Sequence, residues 1–213
     1  MVRKILAEIS DEQLQEDLEK YRQRALELGA ADARIIPADM VVVDERVRIK
    51  CMYPECPAYG KNYHCPPRTI DVDLTRKMVN NFRYALFVKM EVPSEAMTGT
   101  GDREKKLRVP FRRRLYEVVG RVEAAAFYDG YYLAVGFGMS GCKSVFCPRS
   151  ECSALIPGGS CRHPMKARPS MEAVGMDAFV MAARVGWDVY PLGYSSAPAD
   201  VSCGLLLGLV LIA

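Results

Sequence analysis

The spacing of the cysteines constrains this chain more than any other feature. Cys51-MYPE-Cys56-PAYGKNYH-Cys65 follows the pattern C-x4-C-x8-C. Cys147-PRSE-Cys152-SALIPGGS-Cys161 follows it again, each cysteine displaced by the same 96 residues. A proline stands directly after the third cysteine in the first copy (Pro66) and three residues beyond it in the second (Pro164). The chain has only 8 cysteines, so agreement at both gaps is not an accident of composition. The pattern describes one metal-binding loop used twice, through an internal duplication.

Composition narrows what such loops can serve. At 213 residues, 50% of them hydrophobic, the chain is long enough for a substantial core, and we expect one domain over residues 1–213. The balance of 29 Lys+Arg against 26 Asp+Glu leaves +3, too little to argue for nucleic acid or an anionic membrane as partner. The opening MVRKILAEISDEQLQ lacks an apolar run of signal-peptide length, and GLLLGLVLIA at the far end is too short to span a bilayer as a helix. A cytoplasmic protein is the expectation. In that compartment thiols stay reduced, so clustered cysteines are read as metal ligands or reactive groups rather than disulfides.

Periodicity gives the frame around the loops. Ser10 and Gln13 form a capping box, and Leu14, Leu18, Tyr21, Ala25 and Leu28 make the apolar face of a helix over 10–29. Residues 33–50 read as extended, running directly into Cys51. A short helix through Leu74, Met78 and Phe82 follows, then a strand over 84–92 and a polar loop over 93–106. Pro110 suits the first turn of a linking helix over 110–129, with Phe111, Leu115, Val118, Val122 and Ala125 buried and Arg112, Arg113 and Arg114 solvated. A strand over 131–137 leads into the second loop. A helix opened by Pro169, a strand over 187–190 and a C-terminal strand over 204–213 close the chain. The expected fold is α/β, with two similar strand–cysteine loop–helix–strand halves, related by a pseudo-twofold axis and repeating over 41–92 and 131–192.

The ligand pattern discriminates between metals. Structural zinc sites favour paired knuckles with two further ligands far along the chain, and no C-x2-C occurs here. Three cysteines spread over wide gaps suit a cubane, and a chain with 8 cysteines and 2 histidines offers the soft donors that iron–sulfur clusters take. The second loop carries an additional Cys142, so Cys142, Cys147, Cys152 and Cys161 suffice for one [4Fe–4S] cluster. The equivalent position in the first loop is Arg46. Cys51, Cys56 and Cys65 therefore need a fourth donor from Cys203, from Cys142 or from His64, or they leave one iron open. Cys203 lies in an apolar run and reads as a buried inert thiol before it reads as a ligand.

Gly136, Gly138 and Gly141 spell G-x-G-x-x-G after a strand, but the helix that a dinucleotide site needs next is replaced by Cys142 and Cys147-Pro148. These glycines are read instead as letting backbone amides approach a cluster. C-x3-C-x2-C and C-x2-C-H are absent, which removes support for S-adenosylmethionine radical chemistry and for covalent haem.

KCMYPECPAYGKNYHCPP (50–67) and CRHPMKARPSMEAVGMDAF (161–179) resemble a family of predicted metal-binding proteins, domain of unknown function 2284. The resemblance covers most of the chain. It implies a cysteine-rich iron–sulfur protein of the kind found in anaerobes, and it carries no agreed reaction. The matching positions are the seven loop cysteines and the Lys166–Glu172 segment. Arg162, His163, Lys166 and Arg168 are candidates to neutralise a cluster or an anionic substrate. Three functions follow as expectations. The first is a protein with one or two [4Fe–4S] clusters, passing electrons to a redox partner protein. The second is an enzyme using an open iron for dehydration or sulfur transfer. The third is a zinc-stabilised interaction module.

Overall fold

The computed structural model describes residues 2–98, 101–192 and 195–213. Helix α1 (Asp11–Glu27) begins where the capping box places it, with the Ser10 hydroxyl accepting from the Gln13 N–H at 3.2 Å. Gly29, at φ +95°, ends it in a conformation that favours glycine. Strands β1 (Asp32–Pro37), β2 (Tyr84–Val92), β3 (Val135–Phe137) and β4 (Gly204–Leu211) form one antiparallel sheet in the order β1-β2-β4-β3. The mixed α/β class is as expected.

Both faces of this sheet are covered, which is why β2 and β4 are almost continuously apolar. Leu86, Val88, Met90, Leu206 and Val210 pack against α1 and the long helix α5 (Asp102–Tyr128). Ala85, Phe87, Leu207, Leu209 and Leu211 pack against Val79 of a short helix (Val72–Val79, α3) and Met181 of another (Ala178–Arg184, α7). Each buried Val, Leu, Phe or Met side chain among these is worth about 1.5–3 kcal/mol over its exposed state.

Several local expectations are corrected. Residues 45–49 are helical (α2, Glu45–Ile49) rather than extended, because the Asp44 carboxylate caps the Arg46 N–H at 2.8 Å. A helical turn over Ser94–Met97 (α4) interrupts the expected 93–106 loop, whose Gly99 and Thr100 lie outside the described residues. Helix α5 runs Asp102–Tyr128, so Pro110 lies inside it rather than at its first turn. The carbonyl that a proline at this position cannot engage is that of exposed Lys106, where water can serve. The helix expected after Pro169 is split at Gly175 (φ +87°), where a side chain would also meet Val72 and the Asp44 carbonyl. A 3-10 turn (Glu172–Val174) precedes the break and α7 follows it. Residues 187–190 form no strand; Trp187 instead stacks on Phe87 and donates to Asp32 at 2.9 Å.

Two crossings bring the halves together and thereby position the loops. Val43 bridges Met176, with the Asp44 N–H donating to the Gly175 carbonyl and the Asp177 N–H to the Val42 carbonyl, each at 2.8 Å. Gly138, just past β3, bridges Ser170 as the second loop returns. The first loop thus starts beside the segment that ends the second.

Candidate metal centre

The first loop is a series of turns held at its ends. Helix α2 delivers Cys51, whose N–H donates to the Arg48 carbonyl at 2.9 Å, and the Cys56 N–H returns to the Cys51 carbonyl at 3.0 Å. The Arg48 side chain donates to the Ile70 carbonyl, tying the residue before the loop to the residue after it. Inside, Asn62 is fully buried and its Oδ1 accepts from the His64 N–H at 3.1 Å. This local turn presents His64 and Cys65 inward.

The second loop opens on a four-residue helix, α6 (Lys143–Phe146), with Cys142 and Cys147 at its two ends. Its support is α5. The fully buried Tyr116 donates from its hydroxyl to the Ser140 carbonyl at 2.6 Å and packs edge-on to Phe146. Cys142, Val145 and Ala167 share a small buried cluster with Tyr116, and Cys161 packs against it. Arg162 braces the loop by donating to the Ser150 hydroxyl and the Glu151 carbonyl, so it is turned to the loop rather than to the thiols. The His163 N–H donates to Cys161 Sγ at 3.3 Å, an amide-to-sulfur bond of the kind that stabilises a thiolate. Arg168 pairs with Glu123 of α5 at 2.6 Å, and Lys166 is exposed.

The loops meet. A Cβ on Gly141 would stand 3.4 Å from Cys65 Sγ and from the Ala58 side chain. Cys142 Sγ lies 3.5 Å from His64 Nδ1 and 3.9 Å from Asn62 Oδ1. Cys65 (6% exposed) and Cys142 (8%) are the buried cysteines; the other six are partly exposed, and all eight thiols are free. Gly136 and Gly138 do not face this junction. Side chains there would collide with Val119 and Glu123, and with the Tyr116 ring, so these two glycines let α5 approach β3.

Electrostatics follow from the crowding. Burial pushes the Cys142 thiol up to about 12, and the charges of Cys65, Cys161, Cys152 and Cys147 add to it. Burial likewise lifts Cys51 to about 11, with Cys56, Cys65 and Glu172 contributing. Cys65 is raised by burial; the Asn62 amide works the other way, and Cys56, Glu172 and Cys152 reinforce the rise. That amide nevertheless makes no bond of hydrogen-bonding geometry. Burial, then the Arg168 guanidinium, lowers His64, which favours the neutral imidazole that binds metals. Cys203 precedes β4 rather than lying within it, is partly exposed, and is not among the leading groups acting on Cys51, Cys65 or Cys142.

Three buried polar atoms beside the junction have no partner among the described residues: Asn62 Nδ2, Arg112 Nε and Glu172 Oε2. Arg112 corrects the expectation of a solvated arginine run. It lies one helical turn before Tyr116, on the face that carries the loops, and burial lowers its pKa. Burial raises Glu172, against bonds from its own N–H, from Ser170 and from the Ser140 N–H. Sequence reasoning missed Asn62, Tyr116 and Arg112; the Asn-x-His turn was the available signal for the first. Among the described residues, no group of three or more His, Cys, Asp or Glu side chains is drawn close enough to hold one ion.

A family model described as predicted metal-binding protein (DUF2284) matches residues 34–212. The chain belongs to this family. The match takes in both cysteine loops and every strand except the start of β1. No curated protein and no solved structure matches the chain. No helix among the described residues is long and apolar enough to cross a membrane.

Proposed function

We propose that this metal-binding protein carries [4Fe–4S] clusters on its two cysteine loops and passes electrons to a redox partner protein in cytoplasmic, oxygen-free metabolism. The observation that carries the reading is the junction itself. One buried free thiol from each loop, Cys65 and Cys142, reaches it. The donors fit the group: thiolates are its preferred ligands, the neighbouring imidazole is soft enough to join them, and the one carboxylate within each loop's cysteine spacing, Glu55 and Glu151, is exposed. The orphaned Asn62 amide and the His163 N–H supply the donors that cluster sulfurs accept.

When bound, a [4Fe–4S] cluster supplies a one-electron couple whose potential responds to hydrogen bonds and solvent exposure. The chain's own residues set both. Tyr116 and Phe146 form the dry wall behind the second loop, and Asn62 closes the first. Outside, Ile49, Met52, Tyr53, Tyr63, Ile156 and Met165 stand exposed on or beside the two loops, an apolar rim for a protein partner. The matched spacing and the placement of each loop between two strands support a duplicated origin for the halves.

A second reading, an enzyme with one open iron, is favoured by the odd total of seven loop cysteines, one short of two complete sets. Iron, acid-labile sulfide and zinc per chain, measured on protein purified without oxygen, test both readings. About eight irons with equal sulfide are expected for two cubanes. Zinc without sulfide would overturn both and leave a zinc-stabilised scaffold.

A further inference from the structure

We propose that Cys142 belongs to the first loop: Cys51, Cys56, Cys65 and Cys142 hold one centre, and Cys147, Cys152 and Cys161 hold a second centre short of one protein thiolate. This rests on the cluster reading above and assigns its ligands. Of the fourth donors that spacing left open for the first loop it selects Cys142, and it leaves the second loop, complete by spacing, one thiolate short.

The contacts of Cys142 carry the assignment. Its sulfur touches His64 and Asn62, both of the first loop, at 3.5 and 3.9 Å. The backbone immediately before it is pressed on the first loop, for a Cβ on Gly141 would meet Ala58 and Cys65 Sγ at 3.4 Å and Asn62 Nδ2 at 3.6 Å. Helix α6 separates Cys142 from the next cysteine in sequence. Five residues of helix advance about 7.5 Å and turn the side-chain direction by about 140°, so Cys142 and Cys147 leave the helix on different sides. Burial agrees: Cys142 shares its seclusion with Cys65, whereas Cys147, Cys152 and Cys161 are all partly exposed. Cys161 lies on the same small apolar cluster, which places the second centre adjacent to the first.

Each thiol gives up one proton when it ligates iron. A cluster held by three thiolates is the one that degrades on oxidation. Ferricyanide removes one electron from [4Fe–4S]2+, and the iron without a thiolate departs as Fe2+ to leave [3Fe–4S]+, visible by electron paramagnetic resonance.

The experiment uses two variants of the full chain, purified without oxygen beside the parent. Cys147→Ala/Cys161→Ala empties the second loop; Cys51→Ala/Cys56→Ala empties the first. The first variant should keep a cluster that resists ferricyanide, and the second should keep one that converts to [3Fe–4S]+. The opposite pattern would overturn the assignment while leaving the cluster reading intact. Parent protein with zinc and no sulfide would overturn the cluster reading itself. A second measurement covers variants that fail to fold. In the metal-stripped intact chain, diamide takes the hydrogens of two neighbouring thiols, becoming the hydrazine as they join. Peptide mapping should then find Cys142 joined to Cys65. Cys142 joined to Cys147, Cys152 or Cys161 would overturn the assignment whatever the metal.

Discussion

The two cysteine loops share a spacing and differ in what holds them. The first is closed on itself, by Arg48 across its ends and by buried Asn62 within, and its last cysteine is its most buried. The second rests on another element. Tyr116 and Arg168 bind it to α5 and to Glu123, its three repeat cysteines are partly exposed, and the buried thiol is the extra one, Cys142. A repeated motif therefore does not make equivalent sites. Each loop contributes one buried sulfur to a shared junction, from non-equivalent positions of the repeat.

The largest test of this difference compares the third cysteine of each loop. Cys65→Ala removes a sulfur that faces Gly141 and the second loop, so it should strip its own centre and also weaken the other. Cys161→Ala should lose about half the metal and no more, since its sulfur is held locally by the His163 N–H. Metal per chain checks both. Equal losses would mean two independent loops.

Tyr116 should matter next. Tyr116→Ala opens a cavity in a fully packed position and should cost about 3–5 kcal/mol, read from urea unfolding of the metal-free chain. Tyr116→Phe loses only the bond to the Ser140 carbonyl, about 1 kcal/mol, and should loosen hydrogen-exchange protection over 140–147 while leaving 51–65 unchanged. Protection lost equally in both loops would show that the first also depends on α5.

These residues show where the sequence could and could not be read. Strand β2 was legible to the residue, and α1 to its cap, because periodicity and capping are local signals. Residues 45–49 misled because Val47 and Ile49 alternate like a strand, while one carboxylate at Asp44 decides for helix. Arg112 misled because the stripe of α5 was drawn along Phe111, Leu115, Val118, Val122 and Ala125 alone. A second face, along Arg112 and Tyr116, is apolar only once the loop sits on it. The cysteines were found at once, but not their pairing. Spacing reports distance along the chain, and the crossings at Val43–Met176 and Gly138–Ser170 decide distance in space.

The glycines sharpen the comparison at smaller cost. A methyl on Gly138 would stand 2.6 Å from the Tyr116 ring, so Gly138→Ala overpacks the contact between β3 and α5 and should cost about 1–3 kcal/mol with or without metal. A methyl on Gly141 would meet Cys65 Sγ at 3.4 Å, a tight but tolerable contact. Gly141→Ala should leave the metal-free unfolding midpoint nearly unchanged and lower metal content instead. A stability loss matching that of Gly138→Ala would place Gly141 in the core packing rather than at the junction.

Glu172 gives the finest test, because it belongs to neither loop. Ser140 and Ser170 of the second half work against the rise in its pKa, while its charge bears on Cys51 and Cys65 of the first. Burial raises its pKa in the folded chain. A carboxyl raised in this way contributes stability in its protonated form, fully present below the ordinary value of about 4.3 and lost as pH climbs through the folded value. Asp17, held low against its burial by the Arg3 guanidinium and the Tyr131 hydroxyl, has the opposite sign: its contribution is present above the ordinary value and lost in acid. Glu172→Gln keeps the shape and removes the titration. The metal-free variant should match the parent near pH 4 and exceed it in unfolding midpoint as pH rises, whereas Asp17→Asn should fall short of the parent at neutral pH. A Glu172→Gln chain no more stable than the parent at neutral pH would mean that Arg112 already compensates the charge, and that the junction is electrostatically closed before any metal binds.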